Sequence, residues 1–519
     1  MKNFLFYLLL LAFVSTKFYS CIDRNYDLGD LSSPEISLTP SLGLPIGHIR
    51  HTAEEVLYRI DPEDLRITAC GDTLYLFRER ELFLESRNTV TIPQNLVISS
   101  GILPASSASA SYPFPGGAID LMSSLAPTPT SVSSLERLTL GENSTLRLTV
   151  SGLPTGVVLT LIPPTGLTLQ NSPPVGNGTV YFSVQAGSDL VDGEIFRYQL
   201  SSAILAGQVN VTLEFTNTDA TVVWGNLGNS EFEEGGEPVD LSFFNDFAEG
   251  SGLIWRYPII NAVVHNYMGS TANYTFFADF IRARGTDIAG NPAYVYLTFN
   301  GSHQSPGFHV PAAPAPFEFS VSQHIFTREH GGTHNLLNDL HRLENIEYRF
   351  HGYGNDETRF HLTDPNRHVK IYFGAKLPLI FDPGSILIHN DTIHLDWSAE
   401  DTFGIELAIL RLRVENGFPA HSQLTVRFLD ETGTEVQVLP TGNYKVSSAQ
   451  VSSEGRAIAS THYAIDIELD LDGWNALRDD VYKIVIHSEF RNNDNRAHFT
   501  AGDIFGVKLD LFVRGTIYF

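Results

Sequence analysis

Cysteine is scarce in this chain of 519 residues: there are two, Cys21 and Cys70. A scaffold of several disulfides is therefore excluded. Basic residues are also few, 33 Lys and Arg against 59 Asp and Glu, which leaves a net charge of −26. So acidic a surface repels nucleic acid and anionic lipid headgroups, and charge-driven binding to either is excluded. Long hydrophobic runs are missing too. The run Phe4–Val14 has eleven residues, where a membrane-spanning helix needs ~20. No G-x-S-x-G, P-loop or H-E-x-x-H occurs, and no G-x-G-x-x-G sits between a strand and a helix. The common signatures of serine hydrolases, nucleotide-binding proteins and zinc peptidases are thus absent.

Apolar residues make up 43% of the chain and charged residues 18%, a globular balance with enough length for several cores. The chain holds 34 Phe and 20 Tyr, residues that favour strands over helices. Its 27 Pro and 42 Gly are scattered between short apolar runs, as in a protein of many turns. In AIDIELDLDG, Ile465, Ile467, Leu469 and Leu471 alternate with Asp466, Glu468, Asp470 and Asp472. A period of two puts the apolar set on a core and the acids in water. Cys70 lies in LRITACGDTLYL, another strand-like stretch, and reads as a structural thiol. Helices are expected only at 53–60, at 334–343 and near 474–480. The fold class expected is all-β, built of tandem β-sandwich (Ig-like) modules with few short helices.

An internal duplication is also expected. VVLTL at Val157 matches VKIYF at Val369, and five further pairs follow in the same order at offsets of 208 to 213 residues. On this basis the chain divides into a signal segment at 1–20, a tether at 21–40 and a small N-terminal unit at 41–98. Two modules, 99–305 and 306–519, follow.

The segment MKNFLFYLLLLAFVSTKFYSC reads as a bacterial lipoprotein export signal. Lys2 is its positive start, Phe4–Val14 its apolar core and Ser20 the small residue before cleavage at Cys21. Cys21 is the expected lipidation site. Outer-membrane lipid, held through the acylated cysteine, is the expected partner. The stretch after it carries Asp23, Tyr26, Asp27, Leu28, Asp30 and Leu31, then Leu44–Gly47. It resembles surface lipoproteins of the Bacteroidota. That resemblance implies an outer-membrane anchor facing the cell surface; a periplasm-facing anchor stays open, because Arg24 dilutes the acidic cluster.

Candidate chemistry is sparse. Eleven of the 18 histidines lie between His303 and His394, yet their spacing does not force convergence. His334 and His341 on one helix would stand about 10 Å apart, too far for one ion. His389 and His394 would face opposite sides of a strand. No metal and no cofactor are expected. A calcium loop is a weak alternative at Glu468, Asp470, Asp472 and Asp479. Trp224, Trp255, Trp397 and Trp474 are either core residues or sugar-stacking platforms. VKLDLFVRGTIYF at the C-terminus reads as the closing strand of a sandwich, with the last strand of an outer-membrane barrel as the alternative. The expected task is non-catalytic: binding, adhesion or a structural role. A glycan-binding accessory of a polysaccharide-uptake system, a fimbrial or adhesin component and a glycan hydrolase remain as alternatives.

Overall fold

The computed structural model describes residues 37–518 except 39–40, 59–65, 71–72, 87–89, 125–131, 206, 230, 235, 242–251, 271, 330–331, 355–357, 396–403, 437–441 and 493–495. Strands dominate, and among the described residues the α-helices are four and short. The all-β class follows from the alternation seen in the sequence. It is visible in β17, where Ile260, Ala262 and Val264 are fully buried between outward neighbours.

The chain is nested. It opens with β1 (Ser37–Leu38), β2 (Ser41–Thr52) and α1 (Ala53–Tyr58), which belong to an outer sandwich. The hairpin of β3 (Arg66–Cys70) and β4 (Thr73–Leu84) belongs to a middle sandwich. The inner sandwich then follows whole: β5 (Leu96–Ile102), β6 (Ser111–Pro113), α2 (Leu121–Ser124), β7 (Ser134–Leu140), β8 (Thr145–Ser151), β9 (Leu159–Ile162), β10 (Gly178–Ser183), β11 (Ser188–Val191), β12 (Arg197–Leu200), β13 (Asn210–Asn217) and β14 (Ala220–Asn226). Its core has its own apolar cluster, centred on Leu138, Leu148, Phe182, Leu213 and Phe215.

The middle sandwich resumes with β15 (Glu231–Glu234), β16 (Val239–Asp240), β17 (Ile259–Asn266), β18 (Gly269–Ser270), β19 (Tyr274–Thr286), β20 (Pro292–Tyr296), β21 (Phe308–Val310), β22 (Ser320–Phe326), α3 (Thr333–Asn338), β23 (Arg342–Gly354), β24 (Thr358–Leu362) and β25 (Val369–Pro378). The outer sandwich closes the chain with β26 (Ile380–Phe381), β27 (Ile386–His394), β28 (Gly404–Asn416), β29 (His421–Leu429), β30 (Gly442–Val446), β31 (Gln450–Val451), β32 (Ala457–Ala459), β33 (Thr461–Leu469), α4 (Leu471–Asp479), β34 (Lys483–Arg491), β35 (Ala497–His498) and β36 (Ile504–Tyr518). β36 pairs with β28 on one side and β2 on the other, so the C-terminal segment is a central sandwich strand. The inner and middle units meet where β14 pairs with β24.

The middle and outer sandwiches repeat one topology. One sheet runs β22-β17-β25-β4 in the middle unit and β33-β28-β36-β2 in the outer. The other runs β15-β23-β19-β21 and β27-β34-β29-β30. The match extends to single atoms. Asn266 and Asn416 are both fully buried. Asn266 donates Nδ2 to Pro311 O at 2.9 Å and accepts from Met268 N at 3.0 Å. Asn416 donates Nδ2 to Ser447 O at 2.9 Å and accepts from Phe418 N at 3.0 Å. The same two carbonyls also receive hydroxyls, from Ser320 and from Thr461.

This corrects the expected duplication. The boundary at 305/306 cuts a sheet, because β17 pairs with both β22 and β25. Val157–Leu161 leads into β9, which pairs with β12 at the end of its sheet, whereas β25 lies between β17 and β4. The true repeat is shorter and uneven, because its loops differ in length. Nor is 41–98 a separate unit, since β2 and β4 complete two different sandwiches. The helix expected at 334–343 spans Thr333–Asn338 and gives way to β23. Thr333 lies inside it, donating its hydroxyl to Pro258 O at 2.7 Å.

Candidate functional site

Two places in the described residues have a chemical character beyond packing. The first is the outer face of the middle sandwich's five-stranded sheet. Alternation turns His265 on β17, Lys370 and Tyr372 on β25, and Glu81 and Phe83 on β4 away from the core. Register places them side by side: His265 opposes Lys370, Lys370 opposes Phe83, and Tyr372 opposes Glu81. Phe319, just before β22, stacks on His265 with centroids 4.6 Å apart and planes 10° apart. Tyr372 meets the same imidazole edge-on at 4.9 Å, and Tyr267 lies 5.2 Å from Phe319. Phe83 and Phe319 are 42% and 45% exposed, so these rings are only partly used for burial.

Polar groups run through this ring cluster. Glu81 accepts from Lys370 Nζ at 2.9 Å and from the Tyr372 hydroxyl at 3.2 Å. The Glu81 bond holds Lys370 above the usual lysine range. Burial and the repulsion of Lys370 push His265 down, so its ring is neutral at neutral pH. Phe317, in the same loop as Phe319, has φ of 67° and is 53% exposed. A bulky side chain held in the left-handed region is strained, and such strain clusters at binding sites.

The second place is at one side of the outer sandwich. On β27 the inward positions are Leu387, His389, Asp391 and Ile393. β2 comes close there: a Cβ on Gly47 would lie 2.9 Å from Ile393. His51 therefore reaches Asp391, with Nε2 2.9 Å from Oδ1, and His389 Nε2 lies 3.1 Å from Oδ2. The side chains are 11%, 8% and 10% exposed for His51, Asp391 and His389. Burial would raise the Asp391 carboxyl, but the two imidazoles outweigh it and hold it well below the usual carboxylate range. His51, His389 and Asp391 offer donor atoms all within 4.8 Å of one another, a set that could hold a metal ion. The sequence expectation of no metal did not foresee this meeting of residues.

Other expectations resolve in place. Cys21 lies outside the described residues, as does Trp397. Trp255 and Trp474 are 1% and 7% exposed and serve the core. Trp224 packs on Phe360 beneath Arg137. The weak calcium candidate is not a loop. Glu468 is the last but one residue of a strand, Asp470 caps α4 by accepting from Gly473 N at 2.8 Å, and Asp479 pairs with Arg478 at the helix's far end. Nine helical steps separate Asp470 from Asp479, about 13 Å, so the four carboxylates do not converge. Of the clustered histidines, His334 Nδ1 lies 2.8 Å from Trp255 O. His361 and His368 pack at the seam between the inner and middle units, where burial pushes His361 down to about 3.

No family model matches the sequence, and no curated protein matches it. Among solved structures the chain is similar to a protein of Parabacteroides distasonis ATCC 8503 described as secreted, at 9% identity, over 91% of this chain and 99% of that one, with a TM-score of 0.39. It is also similar to infectious bursal disease virus, Gx strain, at 8% identity over 89% and 88% of the two chains, with a TM-score of 0.12. Likenesses this distant carry no argument about function.

Proposed function

We propose that this chain is a non-catalytic, lipid-anchored protein of the bacterial outer membrane, facing the cell surface, whose middle sandwich binds a glycan. The observation that carries the binding reading is the outward cluster of Phe83, His265, Phe319 and Tyr372, interleaved with Lys370 and Glu81. Ring faces cover the apolar side of a sugar, while the amine and carboxylate meet its hydroxyls. The net charge of −26 favours a neutral glycan over an acidic one. Fifteen residues separate Cys21 from Ser37, enough to reach at most about 50 Å when extended.

Two measurements test this. A calorimetric screen of neutral polysaccharides should give a ligand whose affinity falls about tenfold in Phe319→Ala and in Tyr372→Ala. Binding unchanged in both variants, or no binding across the screen, overturns the glycan reading. Palmitate labelling should be lost in Cys21→Ser, with release of the protein from membranes; retention of the label overturns the anchor.

A further inference from the structure

The repeat between the middle and outer sandwiches shows what the His51–His389–Asp391 cluster replaces. Asn266 opposes Val369 on β25, and Val369 opposes Leu84 on β4. In the outer unit the buried Asn416 opposes Phe505 on β36, and Phe505 opposes His51 on β2. His51 therefore stands where the middle sandwich has Leu84, a residue with no exposure. On the other sheet, Tyr274 opposes Gly354 and Ser422 opposes Phe490, each at the start of its strand pairing with β21 or β30. Two residues along, Gly352 opposes Phe232 and Ser488 opposes His389. His389 thus stands where the middle sandwich has Phe232, which is 1% exposed and packs on Tyr274 and Phe276.

The fold accepts leucine and phenylalanine at these two positions. Polar groups there are a burden on stability, since apolar side chains of similar size usually do as well or better. Nor do the three side chains satisfy one another fully: His389 Nε2 is buried without a hydrogen-bond partner, although it lies 3.1 Å from Asp391 Oδ2. Both imidazoles turn Nε2 toward one carboxylate. Two imidazole nitrogens and a carboxylate oxygen form the donor set of a borderline divalent ion. Tetrahedral bonds of about 2 Å put donors about 3.3 Å apart, and one donor atom from each of the three residues already lies within 4.8 Å of the others.

We propose that His51, His389 and Asp391 bind one divalent transition-metal ion of the zinc class, which clips the N-terminal strand β2 to β27. Solvent takes the fourth position. The ion joins two strands whose ligands, His51 and His389, lie 338 residues apart in sequence, so it stabilises the closed outer sandwich and is held only by the folded chain.

The test uses the chain from residue 22 onward, without a polyhistidine tag and stripped with a chelator. Zinc titrated by calorimetry should bind at one ion per chain, and the melting temperature should rise with zinc concentration. Cobalt in place of zinc should give the visible absorption of a tetrahedral site. Asp391→Asn and His51→Gln should each weaken binding at least about a hundredfold, since loss of an outer-shell partner alone costs ten- to a hundredfold. The double variant His51→Leu with His389→Phe takes the two side chains of the middle sandwich but leaves the buried Asp391 carboxylate without its imidazoles, so it should be less stable than the unchanged chain and bind no zinc. His394→Gln, on the outward face of β27, should bind as the unchanged chain does. The proposal is overturned if the unchanged chain takes up no stoichiometric zinc, or if the double variant folds and still binds it at the same affinity.

Discussion

The middle and outer sandwiches share strand order, a buried asparagine and even the hydroxyl that sits beside it, yet they close their sides differently. The middle unit fills the space between β4 and β15 with Leu84 and Phe232. The outer unit fills the same space with two histidines and an aspartate. Their outward faces diverge as well. Partly exposed rings stand on the middle sheet, where Phe83 is 42% exposed. The matching outer sheet carries ion pairs, such as Arg411 with Asp466 at 2.6 Å and Arg413 with Asp510 at 3.1 Å. The shared elements are those that satisfy buried backbone groups. The elements that differ are side chains the topology leaves free, and both proposed sites lie among these.

The sharpest test of the comparison is to remove its apolar half. Phe232→Ala should destabilise the middle sandwich by about 3–5 kcal/mol, read from urea unfolding. In metal-free protein the double variant His389→Phe with Asp391→Asn should cost far less than Phe232→Ala, because it restores the apolar ring of the middle unit and leaves no buried charge; a loss as large as that of Phe232→Ala would break the equivalence. Next come the two asparagines. Asn266→Ala and Asn416→Ala each leave a buried N–H unpaired and should cost about 3 kcal/mol. A marked cost in only one of them would show that the repeat is one of outline alone.

The smallest effect expected is in pH dependence, and it belongs to the outer sandwich. Burial pushes Asp503 up to about 6, while register puts Arg367 at the corresponding place in the middle unit, two residues before Val369 as Asp503 is two before Phe505. An aspartate titrates near 3.9 when unfolded. The folded chain therefore binds the extra proton between about pH 4 and 6, and stability falls as pH rises through that window. Asp391 works the other way. Its depressed carboxyl stabilises above the unfolded value, and that contribution is lost as pH falls toward its folded value. Unfolding curves taken at a series of pH values in chelator should show Asp503→Asn flattening the first slope and Asp391→Asn the second.

Much of the fold was legible where alternation is strong. AIDIELDLDG reads as a strand with its acids outward; Ile467 and Leu469 are buried beside exposed Asp466 and Glu468, but the strand ends at Leu469, and Leu471, expected inward, is 59% exposed at the start of α4. The strand character around Cys70 was legible for the same reason, though the stretch folds as two paired strands, β3 and β4, and the helix expected at 53–60 spans Ala53–Tyr58. The nesting was not. Short apolar strands match one another at any offset, so six pairings near 210 residues looked like a repeat. The real one hides behind loops of unequal length and a pair of asparagines with different neighbours, Asn-Tyr-Met and Asn-Gly-Phe. The histidine cluster was hidden by distance, as His51 lies 338 residues before His389. One local signal was available: in LIHNDTIH the residues at the inward phase are Leu387, His389, Asp391 and Ile393, two polar groups where a core strand has none to spare.

Nesting also dictates an order of assembly. β2 is made near the start of the chain and β36 at its very end, yet the two pair along almost their whole length. The inner sandwich has all its own strands by Asn226, and the middle one by Pro378. The outer one waits for Tyr518. Closing so long a loop is slow, and until it closes the edge of β2 is open to wrong partners. A chain that stops short of β36 would therefore lose the sandwich that its first strand began, while the two units nested within it keep every strand they need.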